Sequence, residues 1–209
     1  MGRRYRSPKR DLGVEETRRK IVEAARDLLL AGGYRTMTVA DLARTAGVSP
    51  QTVYNTVGGK AAVVKAVYDV LLAGDTAPVP MSERPEFLAM TEAPDRATML
   101  AAYAAHSRRI MVGVGPLLAQ LIYAGPASDR VIADLVSTMD AERRTGNTHM
   151  VTALRERHGL PDGTSLEDAV DVVWTLTSPE VADRLLRRCG WSAARYEQWL
   201  ARSLQAILC

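Results

Sequence analysis

Between Ser49 and Thr56, this 209-residue chain carries side chains suited to reading a polar polymer. At helical spacing Val53 points one way, while Gln51, Thr52, Tyr54, Asn55 and Thr56 fall on the other side. None of the five is charged. Gln or Asn pairs in a bidentate way with adenine, and a Thr methyl meets a thymine methyl. Such groups recognise rather than break bonds.

A reading surface of this kind needs a helix held from behind. Thr38 caps a short helix, with Asp41 at its third position able to reach back as in a capping box. Val39, Leu42 and Ala43 face inward there, and Gly47 supplies the tight turn to the next helix. Val48 plugs that turn, Ser49 caps the following helix, Pro50 takes its first position, and Val53 and Val57 point to the core. A preceding helix is expected over 15–30, with Ile21, Ala24, Ala25 and Leu28 on one face and Gly32-Gly33 ending it. A following helix is expected over 60–73, burying Val63, Val64, Val67, Val70 and Leu71. The positive helix N-termini at Thr38, Ser49 and Gly59 favour phosphate oxygens.

Charge points the same way. The net charge of +3 hides an asymmetry, because residues 1–75 hold 13 basic against 8 acidic residues. Arg3, Arg4, Arg6, Lys9 and Arg10 form an arm without an acid among them, suited to a polyanion. No apolar run follows this arm, so no secretory leader is expected. The uncharged stretch 110–127 is broken by Gly113, Gly115, Pro116, Gly125 and Pro126, which argues against a membrane span.

The run Thr38-Val39-Ala40-Asp41-Leu42-Ala43, then Gly47-Val48-Ser49-Pro50-Gln51-Thr52-Val53-Tyr54, with Ile21-Val22-Glu23-Ala24-Ala25 before it and Gly58-Gly59-Lys60 after it, resembles the TetR family of transcriptional repressors. The resemblance covers about Thr17 to Leu72. It implies that Thr38, Tyr54 and Lys60 hold the DNA backbone while Pro50, Gln51, Thr52 and Asn55 approach bases. Ser49 stands with them at the start of the recognition helix, and Arg6 joins the DNA-contacting set from the arm. One departure is visible: where the family has an aromatic-histidine-phenylalanine run, this chain has Asn55-Thr56-Val57.

The expected fold is all-α, with nine or ten helices. A basic flexible arm (1–14) precedes a helix-turn-helix domain (15–75), a proline-rich linker (76–94) in which Phe87, Leu88 and Met90 could make a short buried turn, and a helical regulatory domain (95–209). Within the last, helices are expected at 96–112, 116–124, 129–158, 166–177, 179–188 and 193–208. The resemblance implies a homodimer bound to a double-stranded operator and released by a small-molecule effector of unknown identity. Pocket candidates are Tyr103, His106, Met111, Tyr123, Met139, Met150 and Trp174, which offer adaptable or amphipathic surface. The apolar stripes of the last helices nominate Val170, Val173, Trp174, Tyr196, Leu200, Leu204 and Ile207 for the dimer interface.

Enzyme chemistry is not expected. His106 and Ser107 are helix neighbours and point apart, as do Glu156 and His158. Cys189 and Cys209 match no metal spacing, and no cofactor or metal is expected. The expected location is the cytoplasm. An alternative reading is a DNA-binding protein without an effector pocket.

Overall fold

The computed structural model describes residues 8–75, 77, 79–124 and 130–209, with backbone alone for 8–12, 123 and 124. The described residues are helical, without strands, and form two compact units that divide between Thr76 and Ala77.

In the first unit α1 (Pro8–Thr36), α2 (Val39–Ala46), α3 (Pro50–Thr56) and α4 (Lys60–Ala73) pack around one apolar centre. Helix α1 begins seven residues before the expected start at Glu15 and takes in part of the basic arm. Pro8 suits a first turn, where its missing N–H removes no helical bond. The helix breaks at Gly33, whose φ of 79° and ψ of 173° leave the helical region, and one further turn reaches Thr36. Ile21, Ala25, Leu29, Leu42, Val53, Val63 and Val64 are all buried, so α1, α2, α3 and α4 each supply a share of the core. Met37, outside any helical stripe, is buried with them.

The expected burial of Val57 is not met. As the C-terminal cap of α3 it has left helical geometry, at φ −122°, and its side chain is only half-buried. Leu28, Val39, Val48, Val70 and Leu71 are likewise half-buried rather than buried. All but Leu28, which lies inside α1, are at or near element ends, where fewer neighbours close over them.

The second unit starts with a 3-10 turn (Met81–Glu83) and α5 (Pro85–Thr91), both inside the segment expected to be a linker. Phe87 and Met90 explain this, since both are buried in the unit's main cluster. Two long helices follow, α6 (Arg96–Ala124) and α7 (Arg130–His158). Helix α6 is continuous where two helices were expected. Pro116 deprives the Val112 carbonyl of its helical donor, but Val112 lies on the exposed face, where water can serve that oxygen.

Then come α8 (Leu166–Leu176), α9 (Pro179–Ala182) running into a π-type turn (Asp183–Arg188), and α10 (Ala193–Leu208). Caps at Ser165, Ser178 and Ser192 each accept a backbone N–H, as anticipated. Ser128, an expected cap, and Asp129, the expected start of α7, lie outside the described residues.

Helices α6 and α10 run antiparallel. Arg96 donates to the carbonyls of Leu208 and Cys209, Gln205 donates to Ala97, and Arg108 pairs with Glu197 at 2.5 Å. The Arg96 guanidinium also reaches the His158 carbonyl at 2.8 Å, so one side chain serves the C-terminal carbonyls of both α7 and α10. Among the described residues no helix is long and apolar enough to cross a membrane.

Candidate nucleic-acid interface

Local chemistry builds the reading head from both ends. The Thr38 hydroxyl accepts the Asp41 N–H at 3.0 Å and donates to the Asp41 carboxylate at 2.7 Å. That hydroxyl, and after it Arg44, holds the Asp41 carboxyl below the usual carboxylate range. Gly47 closes α2 in the left-handed region (φ 67°), directing its N–H back to the carbonyls of Ala43 and Arg44. Ser49 then accepts the Thr52 N–H at 3.0 Å and starts α3.

On α3, Ser49, Pro50, Gln51, Tyr54 and Asn55 are exposed, while Thr52 and Thr56 are half-buried. Val53 is fully buried and anchors the helix. Gln51 Nε2 donates to Asn55 Oδ1 at 2.9 Å, joining two amides one turn apart. That bond leaves Gln51 Oε1 as an acceptor and Asn55 Nδ2 as a donor, the complementary pair that adenine requires. The Thr52 hydroxyl lies 2.8 Å from Ser49 Oγ.

Tyr54 is 53% exposed. A Cβ added at Gly59, the N-cap of α4, would meet the Tyr54 ring at 3.8 Å. Gly58 ahead of it has φ +117°, and a Cβ there would meet the Ala62 Cβ at 2.9 Å, so the turn requires glycine. Lys60 opens α4 with its ammonium 4.0 Å from the centre of the Tyr34 ring. The structure thus gathers Tyr54, Gly59, Lys60 and Tyr34 at one helix N-terminus. Tyr34 escaped sequence reasoning, and its only signal is an aromatic placed just after the Gly32-Gly33 break. Arg6 lies outside the described residues.

The candidates of the second unit separate into groups. Tyr103, Met111 and Met150 are buried within its main cluster, and Met139 is buried too. His106 and Trp174 are half-buried, and the Tyr123 side chain lies outside the described residues. Tyr103 donates to Asn147, a buried residue that sequence reasoning missed. Its signal was present: Asn147 interrupts the stripe Met139, Met150, Val151 and Leu154 on α7, all buried. Trp174 donates its indole N–H to Asp140 at 3.2 Å and lies beneath Arg143 and Arg144.

The interface candidates need correction. Val170, Val173, Tyr196, Leu200 and Leu204 are buried within the single chain, the last four of them at 0% or nearly so, and cannot also cover a partner. Both stripes face inward because α8 and α10 close over α6 and α7. Of that set only Ile207, exposed, and Trp174, half-buried, stand at the surface.

Burial, reinforced by the Arg109 guanidinium, pushes the His106 imidazole down to about 4 from 6.5. Arg109 Nη2 stands 3.1 Å from Nδ1, the geometry of a donor meeting a neutral ring nitrogen. The unfolded chain binds a proton here near pH 6.5, but the folded unit only near pH 4. Stability is therefore complete above pH 6.5 and is lost as pH falls toward 4, by ~1 kcal/mol per pH unit at the steepest. Urea unfolding at pH 7, 5.5 and 4.5 is expected to show a shallower decline for His106→Gln than for the parent. Equal declines would mean that His106 does not govern this window.

Together these features define a helix-turn-helix unit joined to a helical second unit. Residues 21–67 match the family model of bacterial regulatory proteins, tetR family. Among curated proteins none matches the sequence. Among solved structures, FadR from Bacillus halodurans, a fatty acid degradation regulator, superimposes with TM-score 0.66 at 14% identity, over 96% of each chain. FadR from Bacillus subtilis, solved with stearoyl-CoA, gives 0.67 at 14% identity over 89% of this chain and 96% of that one. A structure described as a TetR-family regulator from Rhodococcus gives 0.73 at 15% identity, over 93% and 100%. The chain has the fold of these structures, and residues 21–67 are the part that matches the tetR-family model.

Proposed function

We propose that the protein is a ligand-responsive transcriptional repressor that binds a near-palindromic operator as a homodimer in the cytoplasm. The observation that carries this reading is the exposed, mutually bonded Gln51–Asn55 pair on a capped recognition helix, flanked by Tyr54 and Lys60. Two such helices related by a twofold contact half-sites about one helical turn, ~34–36 Å, apart. The match to FadR bound to stearoyl-CoA supports an effector site in the helical second unit. An effector that prefers one separation of the two heads shifts the population away from the DNA-binding state.

Selection from random DNA tests the reading and is expected to return near-symmetric sites; asymmetric sites alone would remove the dimer. Against a selected site, Gln51→Ala is expected to cost ~1–3 kcal/mol and to relax preference at one base position. Asn55, released from its bond to Gln51, adds to that loss. Lys60→Ala should weaken all sequences alike and flatten the salt dependence by about one phosphate contact. A Lys60 variant altered only in base preference would contradict the backbone role.

A further inference from the structure

One layer of the second unit holds more polar chemistry than a helical core requires. Tyr103 and Ser107 of α6, Arg143 and Asn147 of α7, Thr177 at the end of α8 and Tyr196 of α10 meet there. Most of these groups satisfy one another. Tyr103 donates to Asn147, Asn147 donates to Thr177 at 3.5 Å, and the Thr177 hydroxyl donates to the Val173 carbonyl at 2.7 Å. Arg143 gives Nη1 to the Trp174 carbonyl at 2.6 Å and Nη2 to Asp140 at 2.8 Å.

Among the described residues, two groups of this layer are left over. The Tyr196 hydroxyl is buried without a partner in a residue that has no exposed surface. Arg143 Nε is buried without a partner on a side chain only 13% exposed. Burial raises the Tyr196 hydroxyl above its ordinary range, so it remains protonated, and both Tyr103 and Arg143 are near enough to bias it. Both unpaired groups therefore carry a proton to donate. Natural cores rarely leave such donors unpaired, and each one calls for an acceptor.

We propose that this layer is the headgroup site of the effector, and that the effector is a small apolar molecule ending in a carboxylate accepted by Tyr196 Oη–H and Arg143 Nε–H. The inference rests on the ligand-responsive reading above. Asp140 already offsets much of the Arg143 charge, which suits a monoanion better than a phosphate dianion. The apolar remainder has a matching environment, since Met150, Val173, Leu200 and Leu204 belong to the same buried cluster as Tyr103 and Tyr196.

The test uses the full chain with octanoate and benzoate as probes, and octylamine and benzylamine as matched cations, read by thermal shift and calorimetry. At least one carboxylate is expected to bind saturably and raise the melting temperature, and the amines are not. Tyr196→Phe is expected to keep or raise the melting temperature without ligand, because it removes an unpaired hydroxyl, and to weaken carboxylate binding at least fivefold. Arg143→Lys, which keeps the charge but loses Nε, should weaken it similarly. The proposal is overturned if neither carboxylate binds, or if the amines bind equally. It is also overturned if Tyr196→Phe lowers the ligand-free melting temperature and leaves carboxylate affinity unchanged, the signature of a structural water on that hydroxyl. Gel shift on a selected DNA site separates this from the regulator reading. Carboxylate binding that releases DNA supports both; binding that leaves DNA affinity unchanged supports the headgroup site and overturns its effector role.

Discussion

Leu42→Ala is expected to abolish specific DNA binding at 37 °C while the second unit melts unchanged. Leu42 has no exposed surface and sits on α2 within the core that α1, α3 and α4 share. Truncating such a leucine removes its transfer free energy and leaves a cavity, costing ~2–5 kcal/mol. Domains carry only ~0.05–0.15 kcal/mol of stability per residue, so a unit this small loses much of its total. The loss also acts on geometry, because α2 is the support against which the recognition helix is set.

Hydrogen exchange resolved by segment should show protection falling through α1 to α4 and held in α6 to α10. Fluorescence anisotropy on a selected site should show affinity falling by at least about a hundredfold, which corresponds to ~2.7 kcal/mol. Leu30→Ala is the control, since Leu30 is half exposed and such a surface change stays within ~0.5 kcal/mol. A Leu42→Ala protein that bound like its parent would show that the core does not set the reading head.

The second large effect concerns the buried bond between Tyr103 and Asn147. Asn147→Leu keeps roughly the same volume but removes the acceptor of the Tyr103 hydroxyl. Tyr103 is 6% exposed, and burial pushes its phenol up to about 12, so the proton stays on and needs a place to go. Leaving a buried donor without its acceptor costs ~1–3 kcal/mol. Replacing both partners by apolar groups of similar shape is close to neutral. Tyr103→Phe in the Asn147→Leu background is therefore expected to recover most of the lost stability. Denaturant unfolding of the four proteins gives the coupling energy directly. Purely additive effects would mean that the two side chains stabilise the unit independently and that the bond contributes nothing.

The first unit was largely readable from the sequence because its determinants are local. Thr38, Ser49, Pro50 and Gly47 each act on a backbone within four residues, and the caps and turn form where their types require. Extended apolar patterns also placed the helices of the second unit, with α8 and α10 starting at Leu166 and Ala193 as expected. Reading failed where two local signals competed. Pro116 and its neighbouring glycines suggested a break, but burial of Met111, Val114, Leu117 and Leu121 along one face of α6 outweighs a single lost bond. Pro85 and the prolines around it suggest a linker, while Phe87, Leu88 and Met90 suggest a short buried turn; α5 forms there with Phe87 and Met90 buried, and Leu88 is exposed.

Which way a stripe faces is a different kind of question. Tyr196, Leu200 and Leu204 form an apolar stripe whether the partner is another subunit or another helix of the same chain, because the pattern records only the wish to be buried. Packing of α10 along α6 answers it, turning all three inward. The sites follow the same division. Types and spacing within seven residues mark Gln51, Tyr54 and Asn55 as a reading face, since a single helix turns them outward together. Tyr103, Arg143, Asn147, Thr177 and Tyr196 come from four helices up to 93 positions apart in the chain. No spacing rule connects them, and only the packing of those helices buries the Tyr196 hydroxyl and Arg143 Nε without a partner among the described residues.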